Sequence, residues 1–476
     1  MKLCSLLKNL NYRIKGNCAI NISGLYHRDT EVKEGGLFFC LRGTQVDGNN
    51  FVYSAIKNGA VAIVSEQEIY GVSGITQVIV KNARESMSLI SARFFGSPAE
   101  KLKIIGVCGT NGKTTITNML ASVCEFALKK VAIIGTNGVF IKGVRYETNM
   151  TTPDPIDLQR YLAMMVKCKV EYVCMEVSAH AIDLHKIDGI CFEVVIFSNF
   201  SEDHLDYFKT MDRYFSTKAK LFSKKYAKFA VLNQDDEKFK ELIDGINLPY
   251  VAYSKVNECD YFAKNIKTIN FGQEFDVCGN QIVLPLLGIF NISNALSAIA
   301  GLRCLGFSFE QISIGLKNMK PVVGRFNTFD VNGIIVIIDY AHTPDGLKNI
   351  LLAARDIAKK NKLISIFGCG GNRDALKRPI MGQIADNLSD FVFVTTDNPR
   401  FEDAEKIAKD IIGGIKSKNY EIELSREIAI KKAIDLANKG DVVVLAGKGA
   451  EDYIETNGKK IPYSDYAEIE KIRRNL

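Results

Sequence analysis

Short apolar runs alternate with helical stretches from about residue 102 onward. KIIGVCG is followed by the helical stretch KTTITNMLASVCEFALKK, and VAIIGTNG, VEYVCMEVS and FEVVIFSNF are further apolar runs of strand length. Uninterrupted apolar runs of this kind are typical of strands buried on both faces of a parallel sheet. The pattern predicts a doubly wound, mostly parallel α/β domain.

Extended to the whole chain of 476 residues, this pattern predicts three α/β domains. A small N-terminal domain spans residues 1–98, where GGLFFCLRG, GAVAIVSE and TQVIVKN are strand-like and FFGSPAEKLK supplies a linker. The central domain spans 99–324. After NMKPVVGRFNTF the alternation restarts, and GIIVIIDYAH, KLISIFGCGG, DFVFVTTDN and GDVVVLAGKG predict a Rossmann-like domain over 325–476.

Composition argues against several classes of protein. Net charge is +7 from 61 basic and 54 acidic side chains, with no basic run interleaved with aromatics, so we expect no nucleic-acid partner. No run reaches the roughly 18 apolar residues of a membrane span, and the N-terminus lacks a signal-peptide core. The twelve cysteines form no C-x-x-C pair, and Cys108, Cys174 and Cys191 lie in apolar runs, which indicates buried thiols in a reducing compartment. We expect a cytoplasmic monomer.

The stretch GVCGTNGKTT, residues 106–115, joins a strand to a helix through a glycine-rich loop. The strict P-loop pattern requires glycine at position 107, where this chain has valine. The strand–loop–helix context still suits phosphate binding by backbone N–H groups. Lys113 would contact the terminal phosphates and Thr114 would give its hydroxyl to Mg²⁺. The alternative is a turn that merely uses glycine and asparagine. The candidate nucleotide contacts are Gly109, Thr110, Asn111, Gly112, Lys113, Thr114 and Thr115.

Polar side chains also follow the next two buried strands. Glu176 ends the run VEYVCME, and Asp203 and His204 follow the run FEVVIF. Ligands of open α/β sheets bind at the carboxyl ends of such strands. Together with Lys113 and Thr114, these side chains predict a phosphate and metal site. The alternative for an isolated histidine at this place is a packed or capping residue.

Nine motifs occur in order along nearly the whole chain: GTNGKTT, MEVSAHA, SNFSEDHLDYF, YFSTKAKLF, GIFNISNALSA, VGRFNTF, DYAHTPDGL, FGCGGNRDALKRPIMG and TDNPR. Together they resemble the Mur ligase family of peptidoglycan synthesis, and within it the tripeptide synthetases. DYAHTPD with DNPR is more specific than the loop, which folylpolyglutamate and cyanophycin synthetases approximate. The resemblance implies domains for UDP-sugar, ATP and amino-acid binding. It also implies an ATP-dependent ligase that joins UDP-MurNAc-L-Ala-D-Glu to a diamino acid through an acyl phosphate.

The resemblance implies a magnesium site at the strand ends. Thr114, Glu176 and His204 would hold one Mg²⁺. Lys218, in YFSTKAKLF, matches a lysine that the family converts to a carbamate, which supports a second Mg²⁺. Because Lys220, Lys224 and Lys225 lie nearby, the residues alone favour an ordinary surface lysine of a helix, and only the alignment of the motif singles out Lys218. The implied catalytic residues are Lys113, Lys218, His204 and Arg325.

The resemblance also implies contacts to the nucleotide from the third domain. Arg325 would reach the phosphates, Asp339 would accept from the ribose hydroxyls, and His342 would lie beside the nucleotide. Asn291 and Asn294 of GIFNISNALSA resemble the adenine-side motif, although asparagine is also a common cap residue. Because these groups and the P-loop belong to different domains, we expect catalysis to require domain closure.

The UDP-sugar dipeptide would lie between the first two domains. The implied contacts are Gln45, Asp47, Gly48, Thr151, Thr152, Ser178 and Lys186. Two departures from relatives occur here. Arg28, Asp29 and Thr30 stand where Asp-Ser-Arg is usual, and Lys186 replaces a usual arginine.

The implied incoming amino acid is meso-2,6-diaminopimelate. Relatives with DNPR typically add it, and Arg400 can fork onto the distal carboxylate that lysine lacks. Arg373 matches a second carboxylate contact, and Ala450 stands where a histidine is usual. The other implied contacts are Asp397, Asn398, Pro399, Gly447 and Glu451. Lysine, lanthionine and other diamino acids remain alternatives.

Three rival functions are compatible with a P-loop. NKGD, residues 438–441, matches the guanine motif of GTPases, but it precedes a strand where the GTPase motif follows one. A folylpolyglutamate synthetase would perform the same chemistry on folate. A binding module without turnover would not require Lys113, Glu176 and His204 together.

Overall fold

A computed structural model of the chain describes residues 1–43, 46–148, 150–269 and 272–475. Its three largest sheets have five, nine and six strands and follow one another along the sequence. Each sheet is covered by helices and has its own buried apolar clusters. This architecture confirms the predicted α/β class built from three successive units.

The first unit contains, in chain order, α1 (Leu3–Leu6), β1 (Tyr12–Lys15), β2 (Gly24–Tyr26), β3 (Gly36–Phe39), α2 (Val52–Lys57), β4 (Ala60–Ser65), β5 (Thr76–Val80) and α3 (Ala83–Phe94). The strand order is β1-β5-β4-β3-β2; β1 pairs antiparallel with β5, and the other neighbours are parallel. The three predicted strands are β3, β4 and β5. A 3₁₀ helix over Gly48–Phe51 leads directly into α2.

The segment FFGSPAEKLK connects the first two sheets, but it is packed rather than extended. Pro98–Lys101 forms a 3₁₀ helix that buries Pro98 and Ala99. It packs against the helix Pro155–Lys167 of the next unit. Composition alone suggested a linker because glycine, serine and proline also begin and end short helical turns.

The strands of the central unit are β6 (Lys103–Cys108), β7 (Val131–Gly135), β8 (Gly138–Ile141), β9 (Val144–Tyr146), β10 (Tyr172–Glu176), β11 (Phe192–Phe197), β12 (Ala227–Asn233), β13 (Tyr250–Ser254) and β14 (Tyr261–Phe262). Its helices are α4 (Lys113–Phe126), α5 (Pro155–Lys167), α6 (Ala179–Asp183), α7 (Leu205–Phe208), α8 (Met211–Ala219), α9 (Phe239–Gly245), α10 (Phe290–Cys304) and α11 (Phe309–Lys317). A small antiparallel sheet is formed by β15 (Lys264–Ile269), β16 (Gly272–Val277) and β17 (Asn280–Leu284).

The central sheet has the order β14-β13-β12-β11-β6-β10-β7-β8-β9. It is parallel except at the β7–β8–β9 edge. Strand β6 lies between β10 and β11, and helices α4 and α10 cover the face opposite α5. The carboxyl ends of β6, β10 and β11 therefore meet at one edge, and the P-loop candidate follows the middle strand.

The C-terminal unit contains β18 (Asn327–Val331), β19 (Ile334–Asp339), α12 (Pro344–Ala358), β20 (Leu363–Phe367), α13 (Lys377–Leu388), β21 (Phe391–Val394), α14 (Ala404–Ile412), β22 (Tyr420–Ile422), α15 (Arg426–Leu436), β23 (Val442–Ala446), β24 (Tyr453–Thr456), β25 (Lys459–Pro462) and α16 (Asp465–Asn475). The order β18-β19-β23-β20-β21-β22 is parallel apart from β18. The four predicted strands are β19, β20, β21 and β23. Strands β24 and β25 form a separate hairpin.

Two sequence-based predictions about burial have different outcomes. Cys108 and Cys174 are buried inside strands β6 and β10, as expected. Cys191 is exposed, so its predicted burial was wrong. It lies immediately before β11, where the apolar run has begun but the chain has not yet entered the sheet.

Among the described helices, none is both long and apolar enough to span a bilayer.

Candidate active site

The loop Gly109–Gly112 leaves β6 and turns directly into α4, which begins at Lys113. Gly112 adopts a left-handed φ of 86° at the helix N-cap. A Cβ at Gly109 would collide with Ser198, and one at Gly112 with Asn294. The two glycines are therefore required by close approach of neighbouring chain segments, and the loop keeps a helix N-terminus open to phosphate.

The loop is fixed to the end of the adjacent strand β11. Asn199 accepts from the backbone N–H of Thr110 at 2.9 Å and, through its side chain, from that of Asn111 at 2.8 Å. Ser198 Oγ donates to the Asn111 carbonyl at 2.7 Å. These hydrogen bonds hold the loop against the segment that follows β11.

Lys113 and Thr114 stand at the start of α4. Lys113 Nζ donates to the carbonyls of Gly109 and Thr110 at 2.9 and 2.7 Å, and burial lowers the pKa of its amine. Phosphate oxygens would give this amine stronger, charged acceptors. Thr114 and Thr115 are both buried within the first turn.

Glu176 is the last residue of β10 and is buried. Its carboxylate accepts from the backbone N–H and the hydroxyl of Thr136, both at 3.0 Å. Both donors are neutral, and within the described part of the chain no basic group forms a salt bridge with Glu176. A buried carboxylate without a cation is a strong candidate for a metal ligand.

His204 follows β11 and adopts a left-handed φ of 57°. Its Nε2 lies 3.3 Å from Asp203, which also caps the His204 N–H at 2.9 Å. Burial lowers the pKa of His204 to about 3, despite the neighbouring Asp203. The imidazole is therefore neutral at physiological pH, which is the state that a metal ligand requires.

Lys218 is buried in α8, whereas Lys220 and Lys224 are exposed. The alternative of an ordinary surface lysine therefore does not hold. Its Nζ donates to Thr110 Oγ1 at 2.9 Å and lies 4.2 Å from the centre of the Tyr214 ring. Burial lowers the pKa of Lys218 to about 7.

The C-terminal unit reaches the P-loop through two contacts. Arg325 Nη2 donates to Thr114 Oγ1 at 2.9 Å, and its guanidinium stacks 4.6 Å from the Tyr340 ring centre. Asn111 Nδ2 donates to Asp345 Oδ2 at 2.9 Å. The described structure thus has the two units in contact across the candidate nucleotide site.

Asp339 is the last residue of β19, and His342 follows the strand three residues later. Asp339 accepts from the N–H groups of Phe326 and Ala341 at 2.8 and 2.7 Å, and burial raises the pKa of its carboxyl group. His342 Nδ1 lies 2.8 Å from the Tyr340 carbonyl, and burial lowers the pKa of its imidazole.

A cavity of about 470 Å³ brings many of the predicted residues together. Asn291 and Asn294 enter it from α10, where Asn294 Nδ2 donates to Asn291 Oδ1 at 3.0 Å. The predicted residues that line the cavity are Gly109, Thr110, Asn111, Gly112, Lys113, Thr114, Thr115, Thr151, Glu176, Ser178, His204, Asn291, Asn294, Arg325, Asp339 and His342.

A second group of predicted residues lies around Glu176 and α6. Thr152 Oγ1 donates to the Glu176 carbonyl at 3.0 Å, and Ser178 caps α6 through the N–H of Ala181. Thr151 contacts Thr136 at 3.1 Å. Thr136, Thr151, Thr152 and Ser178 thus form a polar cluster beside the metal-site candidate Glu176.

Lys186 is buried and pairs with Asp154 at 2.8 Å; His27 of the first unit lies 3.8 Å from the same carboxylate. Asp47 caps the 3₁₀ helix that begins at Gly48. Asp47, Gly48, Thr152 and Lys186 do not line the described cavity. Gln45 lies outside the described residues.

The predicted amino-acid contacts form a third group in the C-terminal unit. Arg400 Nη1 donates to the Gly371 carbonyl at 2.9 Å, and Asn398 Nδ2 donates to Glu451 at 2.9 Å. Gly447 has a φ of 108°, and a Cβ there would lie 2.7 Å from Asp397. Arg373 is 3.7 Å from Asp206 of the central unit. The carbonyl oxygen of Pro399 lies so close to Gly371 that a Cβ at position 371 would collide with it.

The NKGD segment has a structural role. Asp441 caps the turn by accepting from Asn438 N–H at 2.8 Å and from Lys362 N–H at 2.9 Å. The segment precedes β23 and does not line the cavity. Its geometry gives no support to a guanine site.

Several functional candidates were missed by sequence analysis. Asn199 could have been found because it lies two residues past the end of β11, the strand next to the P-loop. Lys448 and Glu455 could not, because they contact Asn398 and Arg400 from positions 50 and 55 residues away in sequence.

Three family models match the chain. The Mur ligase middle domain matches residues 107–302, the Mur ligase glutamate ligase domain matches 324–449, and the Mur ligase family catalytic domain matches 21–93. Together they cover most of the chain, and one model falls on each of the three largest sheets.

Curated relatives match over the full length. UDP-N-acetylmuramoyl-L-alanyl-D-glutamate--2,6-diaminopimelate ligase 1 of Clostridium acetobutylicum is 40% identical, over 98% of each chain. A UDP-N-acetylmuramoyl-L-alanyl-D-glutamate--2,6-diaminopimelate ligase of Clostridium botulinum is 39% identical over 100% of each chain.

Solved structures agree with these matches. A structure of a UDP-N-acetylmuramoyl-L-alanyl-D-glutamate--2,6-diaminopimelate ligase superposes with a TM-score of 0.71 at 30% identity, covering 100% of this chain and 99% of that one. MurF of Thermotoga maritima in complex with ADP gives 0.64 at 20% identity, over 96% of each chain, and shows the fold alone. The chain therefore belongs to the Mur ligase family.

Proposed function

We propose that this protein uses ATP to join meso-2,6-diaminopimelate to UDP-MurNAc-L-Ala-D-Glu, in the synthesis of peptidoglycan precursors. Relatives at about 40% identity carry this activity in their names. The observation that carries the proposal is the meeting of Lys113, Glu176 and Arg325 around one cavity. The lysine and the arginine can bind the phosphates of ATP, and the buried carboxylate beside them can bind a cation.

The reaction has two steps. An oxygen of the dipeptide carboxylate attacks the γ-phosphorus of ATP, ADP leaves, and an acyl phosphate forms. The amine nitrogen then attacks the acyl carbon, the tetrahedral intermediate releases phosphate, and the amine loses a proton. Because carboxylate and triphosphate repel each other, Lys113 and Arg325 contribute by neutralising the charge that develops on the phosphates.

We propose Mg²⁺ as the cofactor, held by Thr114, Glu176 and His204. The donors fit, since Glu176 is a buried carboxylate bonded to neutral partners and His204 has a neutral imidazole. When bound, the cation would neutralise phosphate charge.

We further propose that Lys218 carries a carbamate. Its buried amine, with a pKa of about 7, is substantially neutral at physiological pH, and a neutral amine can bond to the carbon of CO₂ with release of one proton.

The third unit supports the choice of diaminopimelate. Arg400 offers a planar fork for a distal carboxylate, and Glu451 offers a carboxylate for an ammonium group. Lysine would leave the arginine fork unpaired. A monomeric state and a cytoplasmic location remain predictions from the sequence.

A competition assay tests the proposal. The purified protein is given UDP-MurNAc-L-Ala-D-Glu and ATP with meso-diaminopimelate, lysine or lanthionine, and products are identified by mass spectrometry. We expect the diaminopimelate product to form with the highest kcat/KM. Equal or faster addition of lysine would contradict the assignment of the amine, and ATP hydrolysis without amide formation would contradict the ligase.

A further inference from the structure

We infer that Glu455 is a positioning residue that holds Arg400 and Asn398 in place for the incoming diamino acid. The inference rests on the proposed function, since it concerns how the same site selects its amine. Glu455 belongs to β24, in the hairpin that follows the last strand of the C-terminal sheet.

The side chain of Glu455 fixes the guanidinium of Arg400. Arg400 Nε donates to Glu455 Oε2 at 3.1 Å, and Nη1 donates to the Gly371 carbonyl at 2.9 Å. Both side chains are about three-quarters buried, with 22% and 25% exposed. The remaining N–H groups, one on Nη1 and two on Nη2, form no hydrogen bond to the described residues. Glu455 therefore orients the arginine and leaves donors for a second carboxylate.

The backbone of Glu455 fixes the backbone of Arg400. Arg400 N–H donates to the Glu455 carbonyl at 2.9 Å, and Asn457 N–H donates to the Arg400 carbonyl at 2.7 Å. Arg400 has a left-handed φ of 52°, which is unfavourable for a side chain of this size. The hairpin offsets this cost and so determines the direction from which Arg400 enters the site.

Glu455 also orients Asn398. The side-chain oxygen Oδ1 of Asn398 accepts from Glu455 N–H at 2.9 Å and from the buried Lys448 ammonium at 3.0 Å. Its two acceptor positions are thereby used, and its amide group faces Glu451 at 2.9 Å. One residue of the hairpin thus contacts both the asparagine and the arginine of DNPR. A substitution of the Glu455 side chain removes the contact to Arg400 but leaves the backbone bond to Asn398.

Steady-state kinetics of Glu455→Ala and Glu455→Gln test the inference. Loss of a charged hydrogen bond predicts a rise of about tenfold or more in KM for meso-diaminopimelate in Glu455→Ala. The KM for ATP and kcat should stay within about twofold, and Glu455→Gln should recover much of the loss. Asp452→Ala is the matched control, because Asp452 is an exposed acid of the same segment with no side-chain hydrogen bond to the described residues; it should behave as wild type. In an Arg400→Ala background, Glu455→Ala should add less than about twofold.

The outcomes separate the two proposals. A wild-type protein that adds lysine in place of diaminopimelate overturns the proposed function. A wild-type protein that uses diaminopimelate, with Glu455→Ala unchanged, overturns the positioning role alone. Equal losses for ATP and amine, or a further large loss in the Arg400→Ala background, would show that Glu455 merely supports the fold and would also overturn it. Should the alanine variant be unstable, Glu455→Met, which keeps the length of the side chain but removes its hydrogen-bond acceptors, is measured in both backgrounds and gives the same decision.

Discussion

Arg325 of the C-terminal unit donates a hydrogen bond to Thr114 of the P-loop helix across 2.9 Å. The two residues are 211 positions apart in sequence. Stacking of the guanidinium on Tyr340 orients it toward the central unit. A positive charge from one unit is thus placed at the phosphate-binding end of another, and the nucleotide site is complete only when the two units are in contact.

Replacement of Arg325 by alanine should mainly impair turnover. The guanidinium would neutralise charge on the reacting phosphates, and loss of one such donor costs about 100- to 1000-fold in kcat. Phosphate release in the presence of all three substrates measures this effect. The affinity for UDP-MurNAc-L-Ala-D-Glu should change by less than about threefold, and a variant with unchanged kcat would remove Arg325 from the mechanism.

Gly112→Ala should abolish tight ATP binding. The new methyl group would meet Asn294 Oδ1 and would also force alanine into a left-handed conformation. Gly279→Ala is a matched control, because Gly279 has a similar φ of 75° but open space around it. We expect both variants to lose some thermal stability and Gly112→Ala alone to lose ATP affinity, by about tenfold or more, in calorimetric titrations. Equal ATP binding by the two variants would argue against a phosphate loop.

Arg400→Ala should change the choice of amine and leave ATP binding intact. Loss of a bidentate, charged contact predicts a rise of about 10- to 100-fold in KM for meso-diaminopimelate. The KM for ATP should stay within about twofold, and the preference over lysine should shrink. Kinetics with each amine measure this change, with Arg474→Ala as an exposed-arginine control. A uniform loss with all substrates would contradict a specific role.

Acid should destabilise the central unit through Asp188. Burial alone would raise the pKa of Asp188, but hydrogen bonds from His185 and Tyr226 and the charge of Lys225 hold it below its ordinary value. As pH falls below about 4, the unfolded chain binds the proton first, so stability present above that pH is lost. Asp188→Asn should therefore be less stable than wild type at pH 7, and the difference should shrink between pH 4 and 3.

Urea midpoints at pH 7, 5, 4 and 3 test this expectation for Asp188. Asp244→Asn, at an exposed position without a side-chain hydrogen bond to the described residues, is the control. A difference between wild type and Asp188→Asn that stays constant down to pH 3 would contradict the assigned pKa direction.

The sequence predicts the central fold well because the signal is local. Apolar runs mark β6, β10 and β11, and the P-loop, Glu176 and His204 follow at their ends, so parallel pairing alone brings these residues together. Strand β6 ends at Cys108, inside the apolar run KIIGVCG that predicts it.

Long-range contacts were beyond prediction. The burial of Lys218 among Tyr214 and Thr110 depends on how α8 packs, and a helix with several lysines carries no signal of which one is inside. Strands β8 and β9 and the sheet of β15 to β17 are short or polar on one face, so they lack the continuous apolar run of the buried strands. The support of Arg400 by Glu455 depends on a hairpin that returns from far along the chain.

The central claim is that a substrate carboxylate becomes an acyl phosphate before the amide bond forms. It is tested most directly with UDP-MurNAc-L-Ala-D-Glu whose glutamate side-chain carboxylate carries ¹⁸O, with mass spectrometry of the phosphate released. If the carboxylate attacks the γ-phosphate, one labelled oxygen should pass into inorganic phosphate for each diaminopimelate joined. Unlabelled phosphate accompanying amide formation would contradict the account.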